Sequence, residues 1–321
     1  MRVKIFIVLF LCLPMYCVGQ TSVNEILGEA SKLYKAKEYA TALGKYKEGL
    51  KEEVTSPQHL YNGACTAALM GETETAFEWL EKAVTVGKGK VKPDYMQKDE
   101  KLAALKNEER WTALLEKAQK TIDAAEANYN KPLQAELLAI LKEDQKYRMS
   151  INMLEQEGLL TEVLKDSLMQ LMAKTDSSNL GKVETILMEY GWVGPDVVGK
   201  KANDALFFVI QHADIKTQKK YLPMMEEAVK NKKAKGNHLA LLVDRIEIRE
   251  GRKQIYGSQI GVHEETEERY ILPLLEPDTV DERRAAVGLK PLADYVKVFD
   301  LEWDVETYKK RLPEYEKWAK E

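Results

Sequence analysis

The sequence predicts a mainly α-helical protein with a small β element, and three observations lead to that prediction. Apolar residues recur at helical spacing along most of the chain, as in the run Leu133, Leu137 and Leu141. Near the N-terminus, a pattern of small and large residues repeats after 34 positions, a period typical of paired helices. The composition is that of a globular protein, with 45% hydrophobic and 31% charged residues and only 18 Gly and 10 Pro. The 321 residues suggest two domains.

The first element is an apolar leader. Arg2 and Lys4 give it a positive start, and the apolar run at 5–13 is shorter than a membrane span. We therefore predict a signal peptide at 1–19 and a secreted or periplasmic protein.

The cysteines agree with this assignment. Cys12 and Cys17 lie in the leader, and we do not expect a lipid anchor at Cys17, because Met15 and Tyr16 stand where small residues are needed. Cys65 alone would remain, so no internal disulfide is expected. Within an Ala-rich helix, Cys65 is predicted to be a small buried hydrophobic residue.

The charge limits the classes of partner. The formal net charge is -4, and loss of the two leader cations would make it -6, so nucleic acid is not expected as a partner. After the leader, no segment approaches the roughly 18 consecutive apolar residues of a membrane-spanning helix.

The 34-residue repeat follows the leader. Its pairs are Ala30 and Ala64, Leu33 and Ala67, Lys37 and Gly71, Ala42 and Ala76, Tyr46 and Leu80, and Gly49 and Ala83. This part resembles the tetratricopeptide-repeat (TPR) family over 24–88, in two units at 25–54 and 57–86, although the first helix lacks the usual large aromatic residue near its start. The resemblance implies paired helices whose groove binds a protein or peptide partner.

Two repeats need a closing element, because a solenoid unit cannot bury its apolar face alone. The segment 99–119 resembles a partial terminal repeat, and its apolar residues are predicted to cover the second unit: Leu102, Leu105, Trp111, Leu114 and Leu115. We thus expect a TPR module with a cap helix at 22–119. The polar stretch 120–131 is a predicted linker.

The rest of the chain, 132–321, is predicted to be a helical C-terminal domain. Beyond a first helix starting at Pro132, helices are expected at about 159–173, 178–189, 199–213, 216–231, 236–249, 279–287 and 291–299. The runs KQIYGSQI and RYILPLL predict the two strands of a β-hairpin.

Polar residues that are rarely buried without partners gather in this domain. They are Gln211, His212, Asp214, Asp244, Arg245, Gln254, Tyr256, Gln259, Arg283 and Arg284. With GWVGPDVVG at 191–199, they resemble the patterns GWxG, QHAD, DR, QxYGSQ and RRxxVGL of an uncharacterised bacterial domain family, over roughly 132–298. The resemblance implies no established activity.

Two roles are open for His212. It could act as a general acid or base with Asp244 orienting it, or it could be a hydrogen-bonded core histidine. Asp244 and Arg245 are expected to be at least partly buried, in a structural ion-pair network. Arg283 and Arg284 could clamp the fold, or hold a carboxylate or phosphate.

The run QIYGSQ is the first choice for a ligand-binding surface. Strand alternation would put Gln254, Tyr256 and Ser258 on one face, and Gln259 on the other. We expect Gln211, Asp214, Arg245, Arg283 and Arg284 to add ligand contacts. No cofactor or metal is expected, because the histidines lack paired spacing and no phosphate loop occurs.

Two functional hypotheses follow. In the first, the protein is an extracytoplasmic interaction protein with a structural or ligand-binding C-terminal domain for a small polar ligand. In the alternative, that domain is a small enzyme, such as a hydrolase that uses His212. The enzyme hypothesis requires His212, Asp244, Tyr256, Gln259 and Arg284 to converge on an open cleft.

Overall fold

The structure is a computed structural model, and it describes residues 22–51 and 56–320. The predicted signal peptide, with Cys12 and Cys17, lies outside the described residues. The described residues divide into two compact units, with the boundary between Ala127 and Asn128. Among the described residues, no helix combines the length and apolar character needed to cross a membrane.

The N-terminal unit is built from helices. They are α1 (Val23–Lys35), α2 (Tyr39–Gly49), α3 (Pro57–Leu69), α4 (Thr73–Gly87), α5 (Pro93–Lys98), a 3-10 helix (Glu100–Leu105) and α6 (Arg110–Ala125). Helix α1 packs on α2 and α3 packs on α4, and in each pair three residues connect the helices. Because so short a connection reverses the chain, each pair is a helical hairpin.

Small side chains let these helices approach closely. Ala30, Ala42 and Ala64 are fully buried. A Cβ atom at Gly63 would lie 2.9 Å from Leu50 Cδ1, so a larger residue there would force the side chains apart. Cys65 is a free, fully buried thiol, as predicted.

The predicted cap contributes to this core. Its buried residues in the same cluster are Leu102, Leu105, Trp111 and Leu114, with Leu115 partly buried against them. The predicted linker, in contrast, is too long. Residues 120–125 form the last turns of α6, since their polar side chains face solvent without interrupting the helix.

The C-terminal unit is mainly helical with one hairpin, as the sequence predicts. It comprises α7 (Lys131–Gln156), α8 (Glu162–Tyr190), α9 (Pro195–Val198), α10 (Lys200–His212), α11 (Ile215–Lys230), α12 (Gly236–Arg249), β1 (Ile260–Val262), β2 (Arg269–Ile271), a 3-10 helix (Pro277–Thr279), α13 (Val280–Ala286), α14 (Leu292–Val296), a 3-10 helix (Lys297–Phe299) and α15 (Val305–Trp318). Strands β1 and β2 are antiparallel, with Ile260 opposite Ile271.

Three details of the prediction are wrong. The helices expected at 159–173 and 178–189 are the single helix α8, because the polar residues between them interrupt the apolar pattern but not the helix. The strands are shorter than expected, and 255–259 is a loop. Helix α15, whose N-cap is Asp304, was not predicted.

Two apolar clusters organise this unit. The first lies among α7, α8 and α10 to α12, and includes Leu137, Leu206 and Met225. The second lies around β2 and α13 to α15, and includes Leu274 and Leu292. The loop 252–259 connects α12 of the first cluster to β1 beside the second.

The largely buried imidazole of His238, which packs against Phe207 of the first cluster, predicts acid sensitivity. It stacks on Phe207 at 4.1 Å, and burial lowers the pKa of His238 to about 4, although the nearby Asp204 acts to raise it. As the pH falls from about 6.5 toward 4, the unfolded chain takes up a proton here that the folded chain does not. The free energy of unfolding should therefore fall by about 2 kcal/mol between pH 7 and pH 4.5. Urea denaturation at both pH values measures this. In His238→Phe, the loss of unfolding free energy between the two pH values should be smaller by about 2 kcal/mol. An unchanged loss would show that His238 is not its source.

Candidate functional site

Asp244 on α12 holds the loop 252–259 in place. Its side chain is fully buried, and its carboxylate accepts three backbone hydrogen bonds, from Ile255 N (2.7 Å), Tyr256 N (2.8 Å) and Ser258 N (2.9 Å). Burial raises the pKa of Asp244, and the three N–H groups act against this rise. The carboxylate is thus occupied by the protein's own backbone.

Gln254 closes the base of the same loop. Its amide nitrogen donates to Gln259 O (3.0 Å) and Leu272 O (2.8 Å), and its amide oxygen accepts from Gln259 N (2.8 Å). The side chain is fully buried. Gly257, with φ of 69°, makes the turn, and a Cβ there would lie 3.1 Å from Leu292.

The two arginines of α13 hold the other side of the loop. Arg283 donates to Ile255 O (2.9 Å) and to Leu275 O (2.6 Å). Arg284 is 1% exposed and donates to the carbonyls of Tyr256 and Lys290. Backbone carbonyls accept both hydrogen bonds of Arg284 and three of the four made by Arg283, which supports the clamp interpretation. Arg284 Nη2 is buried without a partner among the described residues.

A cavity of about 350 Å³ lies on the side of the loop that faces α10 and α12. Its polar lining residues are Gln211, Arg245, Ser258, Gln259 and Tyr295, and its apolar ones are Phe207, Phe208, Leu241, Ile260 and Phe299. We call it the Arg245 cavity.

Arg245 is the charged group of this cavity. Its one hydrogen bond within the described chain is a long one, 3.3 Å from Nη1 to Gln211 O, and no described carboxylate lies within ion-pair distance. Its Nε and the amide oxygen of Gln211 are buried without a partner among the described residues. Burial lowers the pKa of Arg245, and the charges of Arg249 and Arg148 add to this. A partly buried cation without a counter-charge favours an anionic ligand.

His212 lies at a second cavity, of about 300 Å³. The lining residues of this His212 cavity are Asp144, Ala173, Asp176, Ser177, Leu180, Val209, His212, Ala213 and Asp214. His212 Nδ1 lies 3.0 Å from Asp144 Oδ1, and Arg148 makes two hydrogen bonds to Asp176. Burial acts to raise the pKa of Asp144, but the hydrogen bond and charge of His212, and the charge of Arg148, outweigh it and lower that pKa.

The structure thus separates the predicted site residues. Gln211, Arg245 and Gln259 line the Arg245 cavity, and His212 and Asp214 line the His212 cavity. Asp244, Gln254, Arg283 and Arg284 hold the loop, and Tyr256 lines neither cavity.

Three expectations are wrong as a result. Among the described residues, Asp244 and Arg245 belong to no ion-pair network, because Asp244 accepts backbone N–H groups and Arg245 has no carboxylate within reach. Asp144, and not Asp244, pairs with His212, because Asp244 is engaged by the loop. The alternation of faces in QIYGSQ does not apply, because that run is a loop.

Sequence reasoning missed Asp144, Asp176 and Tyr295. Asp144 had a signal: it follows the buried stripe Leu137 and Ile140 at helical spacing, where a carboxylate needs a partner. Tyr295 donates from its hydroxyl to Ser258 O (2.9 Å), and no sequence signal placed it there. Within residues 22–51 and 56–320, no cluster of three or more His, Cys, Asp or Glu residues has metal-binding geometry.

Comparison with known proteins gives one match. A family model described as a family of unknown function (DUF6624) matches residues 131–307, which include both cavities and the loop. No curated protein and no solved structure matches the chain.

The Asp244 contacts predict a large stability effect. In Asp244→Asn, one carboxylate oxygen becomes an amide that cannot accept, so a buried N–H loses its partner. We expect the free energy of unfolding to fall by about 2–4 kcal/mol. Urea denaturation measures this. As a control, Asp214→Ala removes only an exposed N-cap of α11 and should cost about 1 kcal/mol. Equal costs for both variants would contradict the role given to Asp244.

Proposed function

Since the chain belongs to the family of unknown function DUF6624, we propose its role from its geometry: it is an extracytoplasmic binding protein whose C-terminal unit holds a small anionic ligand against Arg245. The observation that carries this proposal is the guanidinium of Arg245, which lines a cavity without a carboxylate partner among the described residues.

The lining of the Arg245 cavity indicates the class of ligand. Arg245 suits a carboxylate or phosphate, and Gln211 and Gln259 offer amide groups beside it. Phe207, Phe208 and Phe299 supply apolar surface. The proposed ligand is therefore a small anion with a planar or apolar part, and a cavity of about 350 Å³ is at the lower end of the usual range for such ligands.

For the N-terminal unit we propose a TPR-like role, binding a peptide of a partner protein. The 34-residue repeat and the helical hairpins support it. A cavity of about 460 Å³ is lined by Pro57, Gln58, Tyr61, Lys90, Val91, Lys92 and Tyr95. Lys90 and Lys92 are exposed, and neither has an ion pair within the described chain, so an acidic segment with an apolar side chain suits this cavity.

The leader sequence supports the extracytoplasmic part of the proposal. If residues 1–19 are a signal peptide, the exported chain begins at Gln20 or Thr21. Cell fractionation with N-terminal sequencing of the exported chain tests this directly, and an intact Met1 in the cytoplasm would contradict it.

Acid–base catalysis at His212 is the second candidate function. The observation that favours it is the 3.0 Å contact between His212 and the buried Asp144, beside an open cavity. A carboxylate in this position fixes the orientation of the imidazole. A nucleophile is not required if His212 activates water.

Replacement of Arg245 tests the binding proposal. Benzoate and phenyl phosphate serve as anionic probes, and benzyl alcohol as the neutral one, with binding measured by calorimetry on the purified chain. Arg245→Gln should weaken binding of both anions by about tenfold or more, because a charge-assisted hydrogen bond is lost. The matched control is Arg249→Gln, which removes an exposed arginine one helical turn away that does not line the cavity, and it should weaken binding much less than Arg245→Gln does.

Two outcomes would contradict the binding proposal: equal affinity in Arg245→Gln, or equal binding of benzyl alcohol and the anions.

The same probes test the second candidate function, catalysis at His212. Hydrolysis of phenyl phosphate that disappears in a folded His212→Ala variant, with binding retained, would favour catalysis. A large loss of stability in His212→Ala with unchanged binding would indicate a structural histidine.

Charge reversal tests the N-terminal proposal. On an array of short peptides from acidic to basic net charge, the chain should retain the acidic peptides. Lys90→Glu with Lys92→Glu should reduce that retention at least about tenfold and shift it toward basic peptides. Lys32→Glu with Lys35→Glu makes the same change of net charge outside the cavity, and should leave the preference unchanged. Equal losses in both variants would show that only overall charge matters.

A further inference from the structure

The outer parts of α7 and α8 form an arm without a core. We define the arm as residues 145–178, which include the connection between the two helices. None of these residues is fully buried, whereas the buried residues of α7 end at Asp144 and those of α8 begin at Asn179. The two helices therefore extend past the apolar cluster that anchors them.

The arm carries an apolar stripe on each helix. On α8 the stripe is Leu164, Leu168 and Leu171, and on α7 it is Tyr147, Ile151 and Leu154. The intervals of three and four residues are those of a coiled-coil seam. Leu164 is 37% exposed and Leu171 46%, so two helices alone leave the seam half open. Further exposed apolar residues of the arm are Met149, Met153, Leu159, Val163 and Met169.

We propose that this arm is a dimerisation surface, on which the arm of a second copy of the chain packs in the antiparallel direction to complete a four-helix bundle. A closed pair of this kind uses the same surface twice, as two-fold symmetric dimers do. Each copy would supply the two helices that the other lacks.

The charges of the arm fit an antiparallel copy. Around the tip lie the exposed carboxylates of Glu155, Glu157 and Glu162. Toward the anchored end lie the exposed amines of Lys146 and Lys174. None of these five groups has an ion pair within the described chain, and Lys146 instead lies 4.9 Å from the centre of the Tyr147 ring. In an antiparallel pair, the acidic tip of each arm lies beside the basic, anchored end of the partner's arm.

The positions of these charges agree with a single two-fold axis. On α8, Leu168 lies six residues from Glu162 and six from Lys174. On α7, the midpoint between Lys146 and Glu155 falls between Ser150 and Ile151. An axis at both midpoints brings Glu162 to the same height as the partner's Lys174, and Glu155 to the same height as the partner's Lys146.

Both midpoints lie at the same height along the arm. Asn179 Nδ2 donates to Ile140 O at 3.4 Å, which sets these two residues level. Eleven residues toward the tip from each of them, the helices reach Ile151 and Leu168. Since both helices rise by 1.5 Å per residue, these positions are level as well. The same axis places Tyr147 against the partner's Leu154, and Leu168 against the partner's Leu168.

A membrane surface fits the arm less well than a second copy does. Three carboxylates at the tip would be repelled by anionic headgroups.

Analytical ultracentrifugation of the purified full chain tests the proposal. The unchanged chain should be a dimer at micromolar concentration. Leu164→Glu with Leu171→Glu puts charges into the seam and should raise the dissociation constant at least about 100-fold. Because both positions lie outside the buried core, circular dichroism should show the same helix content. Met188→Glu is the control: Met188 is on α8 beyond the arm and 84% exposed, so this variant should stay dimeric.

Charge exchange distinguishes a second copy from any other partner. Glu162→Lys alone and Lys174→Glu alone should each weaken the dimer about tenfold, because each sets like charges together. The two changes in one chain should restore it, since opposite charges then lie at the same height of the two arms again. A monomeric unchanged chain, a dimer that persists in Leu164→Glu with Leu171→Glu, or a failure of the double exchange to restore dimerisation would overturn the proposal.

Discussion

The C-terminal unit depends on one buried carboxylate. Asp244 on α12 accepts three backbone N–H groups of the loop that follows, and so fixes the loop against the helix. That loop supplies Ser258 and Gln259 to the wall of the Arg245 cavity, while α12 supplies Arg245 itself. A buried carboxylate is tolerated only when its lone pairs are satisfied, and here the backbone does this. The cavity therefore has its shape because its two walls are joined through Asp244.

Adjacent residues on α12 thus have opposite roles. Asp244 points into the loop and is fully buried, with its carboxylate accepting three backbone N–H groups, whereas Arg245 faces a cavity and lacks a counter-charge among the described residues. Successive residues of a helix point about 100° apart, so such a pair cannot share an environment. A cluster of ionisable residues in a sequence is therefore not by itself a site. Residues whose hydrogen-bonding groups are taken by the backbone maintain the fold. Residues that line a cavity with unpaired polar groups are candidates for binding.

The polar groups of this unit form two separate systems. Arg245, Gln211 and Gln259 belong to the first, and the pair of His212 with Asp144 belongs to the second. Gln211 and His212 are consecutive residues at the end of α10, but each lines a different cavity. Residues of α7 and α8 form one wall of the His212 cavity, and this wall includes Ala173, Asp176 and Ser177 at the anchored end of the arm. The same two helices thus support a candidate site at one end and expose an apolar seam at the other.

The sequence alone determined the mainly helical class, the small hairpin, the burial of Cys65 and the apolar residues of the cap. These follow from local periodicity and side-chain size, which a single chain displays directly. Only the tertiary structure decided that Asp144 pairs with His212, that Asp244 holds a loop, and that QIYGSQ is not a strand. Residues 68 positions apart, such as Asp144 and His212, meet through the packing of α7 on α10, and no local pattern encodes that contact. Helix ends were missed for a similar reason: a polar stretch such as 120–125 stays helical when its side chains face water.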